Sequence, residues 1–161
     1  MHYYLNDNLI DSQQSVADLG VEIDCTLSFD NHINKIIGKA YSRVGVLYKG
    51  FASRDAQILK QAYITYVRPV LEYASSVWSP YLLKHINAIE RVQKHFTKRI
   101  PSLSHLTYPE RLAINLEPLE LRRLKADLVL YYKCFNNLIA LIPYTEYFTL
   151  SQHTTQTRTG D

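Results

Sequence analysis

Leu82-Leu83-Lys84-His85-Ile86-Asn87-Ala88-Ile89-Glu90-Arg91-Val92-Gln93-Lys94-His95-Phe96-Thr97-Lys98-Arg99 is the stretch that decides the fold class. At about 100° per residue, Ile86, Ile89, Val92, Phe96 and the following Ile100 gather on one side, while Lys84, Arg91, His95 and Lys98 point nearly opposite. That separation predicts an amphipathic basic helix from about Leu82 to Arg99. The same period governs the flanks. Upstream, Ile33, Ile36, Ile37, Ala40, Val44, Leu47 and Tyr48 fall on one helical stripe, and Lys35, Lys39 and Arg43 lie on the other side. Gly50 is the expected stop, and Gly38 and Gly45 inside the run mark close packing or a weaker helix.

Between these two helices a further one is expected after Ser53, whose hydroxyl can cap the free amides, with Asp55 complementing the positive end of the helix dipole. Leu59, Ala62, Tyr63, Tyr66, Val70, Tyr73, Ala74 and Val77 form its apolar face. Pro69 removes a backbone donor and crowds the preceding turn, which predicts a kink or break near Arg68, and Pro80 closes the segment. Downstream, Thr107-Tyr108-Pro109-Glu110 has the spacing of a capping box and predicts a short helix to about Leu116. Pro118 opens a fifth helix, with Leu121, Leu124, Leu128, Tyr132, Phe135 and Ile139 at spacings of three or four, ending before Pro143.

The beginning of the chain reads differently. Tyr3 to Leu5 and Leu9 to Ile10 flank the turn signal Asn6-Asp7-Asn8, and Val16 to Ile23 form a third extended run. The expected fold is therefore mainly α: a bundle of about five helices over residues 29–143, after a small β-hairpin-like segment over 1–28 and before a polar, frayed tail over 144–161.

With 161 residues, 47% of them hydrophobic, the chain has the size of one domain able to bury about two-thirds of its unfolded surface. Cys25 and Cys134 form no CxxC pair, which points to neither a zinc site nor a disulfide framework and suits a reducing intracellular compartment, nucleus and cytoplasm alike. Apolar runs fall short of a membrane span, and the residues after Met1 are unlike a signal peptide. The formal charge of +3 conceals an asymmetry. Residues 1–34 carry six acids and no lysine or arginine, whereas 35–133 hold seventeen of the eighteen basic residues against seven acids. That balance favours a polyanionic partner, nucleic acid first, although a merely solvated helical surface would carry the same charge.

Catalytic constellations are missing. Two-metal nucleotidyl transfer needs converging carboxylates, and the sequence has no adjacent acidic pair. Asp18 and Asp24 flank an apolar run and read as turn carboxylates. His2, His32, His85, His95, His105 and His153 show no metal-ligand spacing, and Ser75 and Ser76 lack the GxSxG elbow. Phosphate loops are absent too, so no cofactor, metal or small-molecule substrate is expected. Some of the thirteen tyrosines could stack on bases, but most lie at core spacing.

Asp18-Leu19-Gly20-Val21 with Asp24, then Leu27, Phe29, His32 and Ile33, resembles the strand and His-Ile helix of LINE-type (non-LTR) retrotransposon reverse transcriptases, jockey-like elements in particular. Tyr66-Val67-Arg68-Pro69-Val70-Leu71-Glu72-Tyr73-Ala74-Ser75, followed by Val77-Trp78-Ser79-Pro80, is similar to the family's post-palm block. Ile89-Glu90-Arg91-Val92-Gln93-Lys94, Phe96-Thr97-Lys98, Tyr108 with Arg111-Leu112, Leu121-Arg122-Arg123, Asp127-Leu128 and Tyr132-Lys133 continue the series in order. The family's palm with its Asp-Asp motif, its fingers and any endonuclease domain have no counterpart here, and Thr157-Arg158-Thr159-Gly160 only approximates the family's Thr-Arg-Gly segment.

The resemblance implies a non-catalytic thumb and post-palm piece of an RNA-directed DNA polymerase that grips an RNA/DNA template-primer. Its implied partners are RNA, the RNA/DNA hybrid, and the palm and fingers of the parent protein, with no membrane. Gly20, His32, Pro69, Tyr73 and Trp78 are the motif positions expected to matter structurally. Lys35, Lys39, Arg43, Lys84, Arg91, Lys94 and Lys98 are the expected phosphate contacts. The alternative is a helical protein-interaction module in which Tyr73, Trp78 and apolar neighbours bury against a missing palm or another subunit.

Overall fold

A computed structural model of the chain describes the backbone of residues 3–5, 8–10 and 13–139, and the side chains of 13–139. Helices dominate it: α1 Asp30–Gly50, α2 Ala56–Tyr66, α3 Arg68–Glu72, α4 Ser75–Trp78, α5 Leu83–Lys98, α6 Tyr108–Arg111 and α7 Leu119–Phe135. Single 3₁₀ turns lie at Pro101–Leu103 and Leu112–Ile114. Four short strands precede them, β1 Tyr3–Leu5, β2 Asn8–Ile10, β3 Ser15–Asp18 and β4 Val21–Asp24, paired as two separate antiparallel hairpins. The chain divides into two compact units within α7, between Leu124 and Lys125. The expected tail over 144–161 and the expected stop at Pro143 lie outside the described residues.

The mainly helical class is the expected one, and the local differences have physical causes. Residues 16–23 do not continue as one extended run. Asp18 pairs with Val21, leaving Leu19-Gly20 as a two-residue loop. Both loop residues have positive φ, 45° and 86°, the conformation whose twist matches that of antiparallel strands. Gly20 adopts it freely; Leu19 does so against its own Cβ.

At α2 the cap is Asp55, not Ser53: the Asp55 carboxylate accepts from the amides of Gln57 and Ile58 at 2.9 and 3.0 Å. Ser53 stands one step outside, accepting from the Asp55 amide at 3.2 Å. The break at Pro69 occurs, with α2 ending at Tyr66 and Pro69 inside the first turn of α3. A second break follows at Ala74, whose φ of 52° separates α3 from α4. These two interruptions turn the apolar face. Val67, Leu71 and Trp78 are buried, while Tyr66, Tyr73 and Val77, expected inside, are exposed.

In the first unit α1 is central. Ile33, Ile36, Ala40, Val44, Leu47 and Tyr48 are buried as the periodicity predicts. α5 runs beside α1 in the same direction. Asp30 meets Lys84 and His85 at the starts of the two helices, at 3.2 and 2.9 Å. Near their ends the Tyr48 hydroxyl donates to the Phe96 carbonyl at 2.8 Å. Phe96 stacks on Tyr63 with ring centroids 4.4 Å apart, which joins α2 to the pair. The predicted apolar side of α5 is buried at Ile89, Val92, Phe96 and Ile100.

Polar residues complete the packing at the far side of α5. Buried Glu90 accepts from the Tyr108 hydroxyl and, at 2.9 Å, from the Leu119 amide. Gln93 donates to the Tyr108 hydroxyl at 3.1 Å and to the Glu117 carbonyl at 2.9 Å. The capping box holds, with Glu110 accepting from the Thr107 amide at 2.7 Å. Because Glu90 grips the first amide of α7, the side bearing Leu119 and Arg123 is buried. Within the first unit the expected core stripe of α7 is therefore corrected: Leu121 and Leu124 are exposed.

Candidate nucleic-acid interface

The seven expected phosphate contacts separate into two strips. On α1, Lys39 and Arg43 follow His32 and Ile36 at helical spacing, and all four line a groove of about 410 Å³. Its other walls are the Leu19-Gly20 turn and residues Pro69, Val70 and Tyr73. Arg43 donates one N–H to the Tyr66 carbonyl, which fixes its guanidinium across the gap between α1 and α2. Lys35, one turn earlier, is held by Glu22 at 3.1 Å.

On α5, Lys84, Arg91 and Lys98 are exposed and recur every seven residues, about 10.5 Å apart along the axis. His95 stands on the same strip and touches Tyr41 of α1 at 5.4 Å between ring centroids. Tyr41 and Lys39 lie on opposite sides of α1, since two residues turn a helix by about 200°. The α5 strip therefore runs beside the face of α1 turned away from the groove. Lys84 is paired with Asp30 at 3.2 Å. Lys94 sits 5.0 Å above the Tyr108 ring, off the main strip.

The acidic opening of the chain thus partly neutralises two of the seven cations, Lys35 and Lys84. Both lysines are solvent-exposed, so water and salt screen these pairs and leave them weak. Lys39, Arg43, Arg91 and Lys98 remain as the outward-facing set. Arg99, exposed and 4.3 Å from the Tyr48 ring centroid, adds a cation at the end of α5. The expected helix ran to about Arg99, but Arg99 was not among the expected phosphate contacts; in the structure it is the C-cap residue.

The five motif residues, scattered from Gly20 to Trp78, converge in space. Gly20, His32, Pro69 and Tyr73 line the groove. Trp78 lies behind it, 5.3 Å from the His32 ring, and its indole N–H donates to the Tyr73 carbonyl at 2.8 Å. The Tyr73 hydroxyl donates to the Leu19 carbonyl at 2.9 Å. Trp78 is 1% exposed, so it is buried within this chain and not on the surface that the docking alternative gave it.

His32 is neutral for a structural reason. Its Nδ1 accepts from the Glu22 amide at 3.2 Å, so the ring proton sits on Nε2. Burial pushes its pKa below the ordinary histidine value, against the smaller opposing pull of Glu22. The unfolded chain takes up this proton near pH 6.5 and the folded chain only lower, so stability falls as pH drops through that window. His32→Asn, which keeps an acceptor for Glu22 and does not titrate, is expected to show a shallower loss of melting temperature between about pH 7.5 and 5. An unchanged pH slope in this variant would refute the assignment.

Asp24 is a turn carboxylate. It accepts from the Ser28 hydroxyl, from the Ser28 amide at 3.0 Å, and from the Thr26 hydroxyl and amide, both at 2.8 Å, and these bonds, the Ser28 hydroxyl foremost, hold its pKa well below the usual range. Among the described residues no cluster of three or more His, Cys, Asp or Glu side chains could hold a metal ion. Nor is any described helix long and apolar enough to cross a membrane.

No protein-family model and no solved structure matches the chain. Among curated proteins it is similar to Uncharacterized protein B0403.1 of Caenorhabditis elegans, with 29% identity over 101 residues. That alignment takes in 61% of this chain and 51% of the relative, so the chain spans about half the length of the protein it matches.

Proposed function

We propose that this chain is a non-catalytic nucleic-acid-binding segment, the thumb and post-palm part of a LINE-type reverse transcriptase, that grips the backbone of an RNA/DNA template-primer. The observation that carries the reading is the pair of cation strips, Lys39 with Arg43 on α1 and Arg91 with Lys98 on α5. On α5 the one acid is Glu90, which is turned inward and buried. Strips of this kind contact phosphates without reading bases, so affinity is electrostatic and falls with salt. The ordered sequence blocks described above supply the polymerase context.

Binding of a fluorescent RNA/DNA duplex should weaken linearly in a plot of log K against log salt. The α5 strip alone, with Arg91 and Lys98, should give a slope of about −2, and engagement of both strips roughly −3 to −4. Arg91→Glu with Lys98→Glu should flatten that slope by about two. Absence of binding at low salt, or a slope near zero, would refute the reading.

A second reading, a protein-docking module, is favoured by one specific feature: Val77, Tyr81 and Leu83 are exposed around the turn from α4 to α5. Self-association of the chain, abolished by Tyr81→Ser with Leu83→Ser and insensitive to salt, would support it over nucleic-acid binding.

A further inference from the structure

We infer that the groove between α1, the Leu19-Gly20 turn and α3 is a seat for one unpaired nucleotide, its base laid on the Tyr73 ring and its phosphate held by Lys39 and Arg43. The inference rests on the nucleic-acid reading and goes beyond it, because gripping a duplex backbone requires no base-sized groove.

Four observations carry it. The groove encloses about 410 Å³, within the range of small-ligand sites and ample for a nucleotide. Its floor is apolar, with Ile36 and Val70, and its rim carries two cations while no carboxylate lines it. Tyr73 is 57% exposed, so sealing the core does not account for its ring. Its hydroxyl nevertheless ties the ring to the turn, donating to the Leu19 carbonyl at 2.9 Å, while Trp78 donates to the Tyr73 backbone carbonyl at 2.8 Å.

An exposed aromatic side chain already tethered at its hydroxyl loses less side-chain entropy when a base stacks on it. Stacking serves every base, since each has a π-face, so the seat discriminates paired from unpaired nucleotides rather than one sequence from another. The cations come from α1 and the ring from the residue that ends α3, so charge and aromatic surface are on different elements around the groove. His32, neutral and buried, contributes to the wall without adding charge.

The test compares two probes of equal length and charge on the full chain by fluorescence anisotropy: an oligodeoxythymidylate and its abasic phosphodiester counterpart. The wild-type protein should prefer the base-bearing probe by about five- to a hundredfold. Tyr73→Leu should abolish that preference, Tyr73→Phe should keep it, and Lys39→Gln should weaken both probes alike. Equal affinity of the wild-type protein for the two probes, or a preference that survives Tyr73→Leu, overturns the inference.

Because Tyr73→Leu also releases the Leu19 turn, cross-linking gives a measurement that needs no variant. An oligodeoxythymidylate carrying 5-iododeoxyuridine should attach to Tyr73 or its groove neighbours in the wild-type protein, and attachment confined to α5 would overturn the seat. Salt-sensitive RNA/DNA binding without base preference sinks the seat alone. Failure of the duplex and both probes to bind at low salt sinks the nucleic-acid reading with it.

Discussion

Trp78→Ala is expected to lower unfolding stability by about 3–5 kcal/mol, a large fraction of the roughly 5–15 kcal/mol typical of a natural domain. The side chain is fully enclosed, lies 5.3 Å from the His32 ring, and donates its indole N–H to the Tyr73 carbonyl at 2.8 Å. Truncation would open a cavity behind the groove and strand that carbonyl without its donor. Thermal melting should show a fall of roughly 10 °C or more. Trp78→Phe should fall in between, because it refills most of the volume but cannot donate. A melting temperature within a degree or two of wild type would mean that Trp78 is not the keystone of the α3–α4 packing.

The second large effect is expected at Glu90. Glu90→Ala removes the acceptor of both the Tyr108 hydroxyl and the Leu119 amide, leaving two donors with no partner, and should destabilise by about 2–4 kcal/mol. Tyr108 remains a donor at any ordinary pH, since burial and then the bond to the Glu90 carboxylate push its pKa far above the usual tyrosine value. Glu90→Gln keeps one acceptor oxygen but turns an amide N–H₂ toward a donor, and should lose less than Ala does. Chemical denaturation should report both changes at unaltered m-value. Equal stability of Glu90→Ala and wild type would show that water replaces the carboxylate and that the start of α7 is held elsewhere.

Both residues show where sequence reasoning reached its limit. Trp78 was legible as a motif position but was assigned, in the docking alternative, to an absent partner. Glu90 sits on a helix whose apolar and basic faces were read correctly, yet a carboxylate beside Arg91 gives no sign that it will be buried. Its burial follows from Tyr108 and Leu119, residues 18 and 29 positions away, arriving with donors. The groove was likewise invisible: Gly20, His32, Pro69 and Tyr73 were each singled out, but no periodicity connects a β-turn to two helices.

The stripes of α1 and α5 were determined by sequence alone, because 3.6-residue spacing sorts apolar from charged side chains before any tertiary contact forms. So were the capping box at Thr107 and the break at Pro69, which depend on local backbone chemistry. Tertiary structure decided three things that spacing cannot express. The turns at Leu19-Gly20 and Ala74 take positive φ at non-glycine residues, a strain that the surrounding packing has to sustain. The break at Ala74, following the one at Pro69, leaves Tyr66, Tyr73 and Val77 outward and Trp78 inward. The grip of Glu90 on the Leu119 amide chooses which side of α7 is buried, against the hydrophobic pattern of that helix. Local periodicity ranks the faces of one helix; which face is covered depends on what the rest of the chain brings against it.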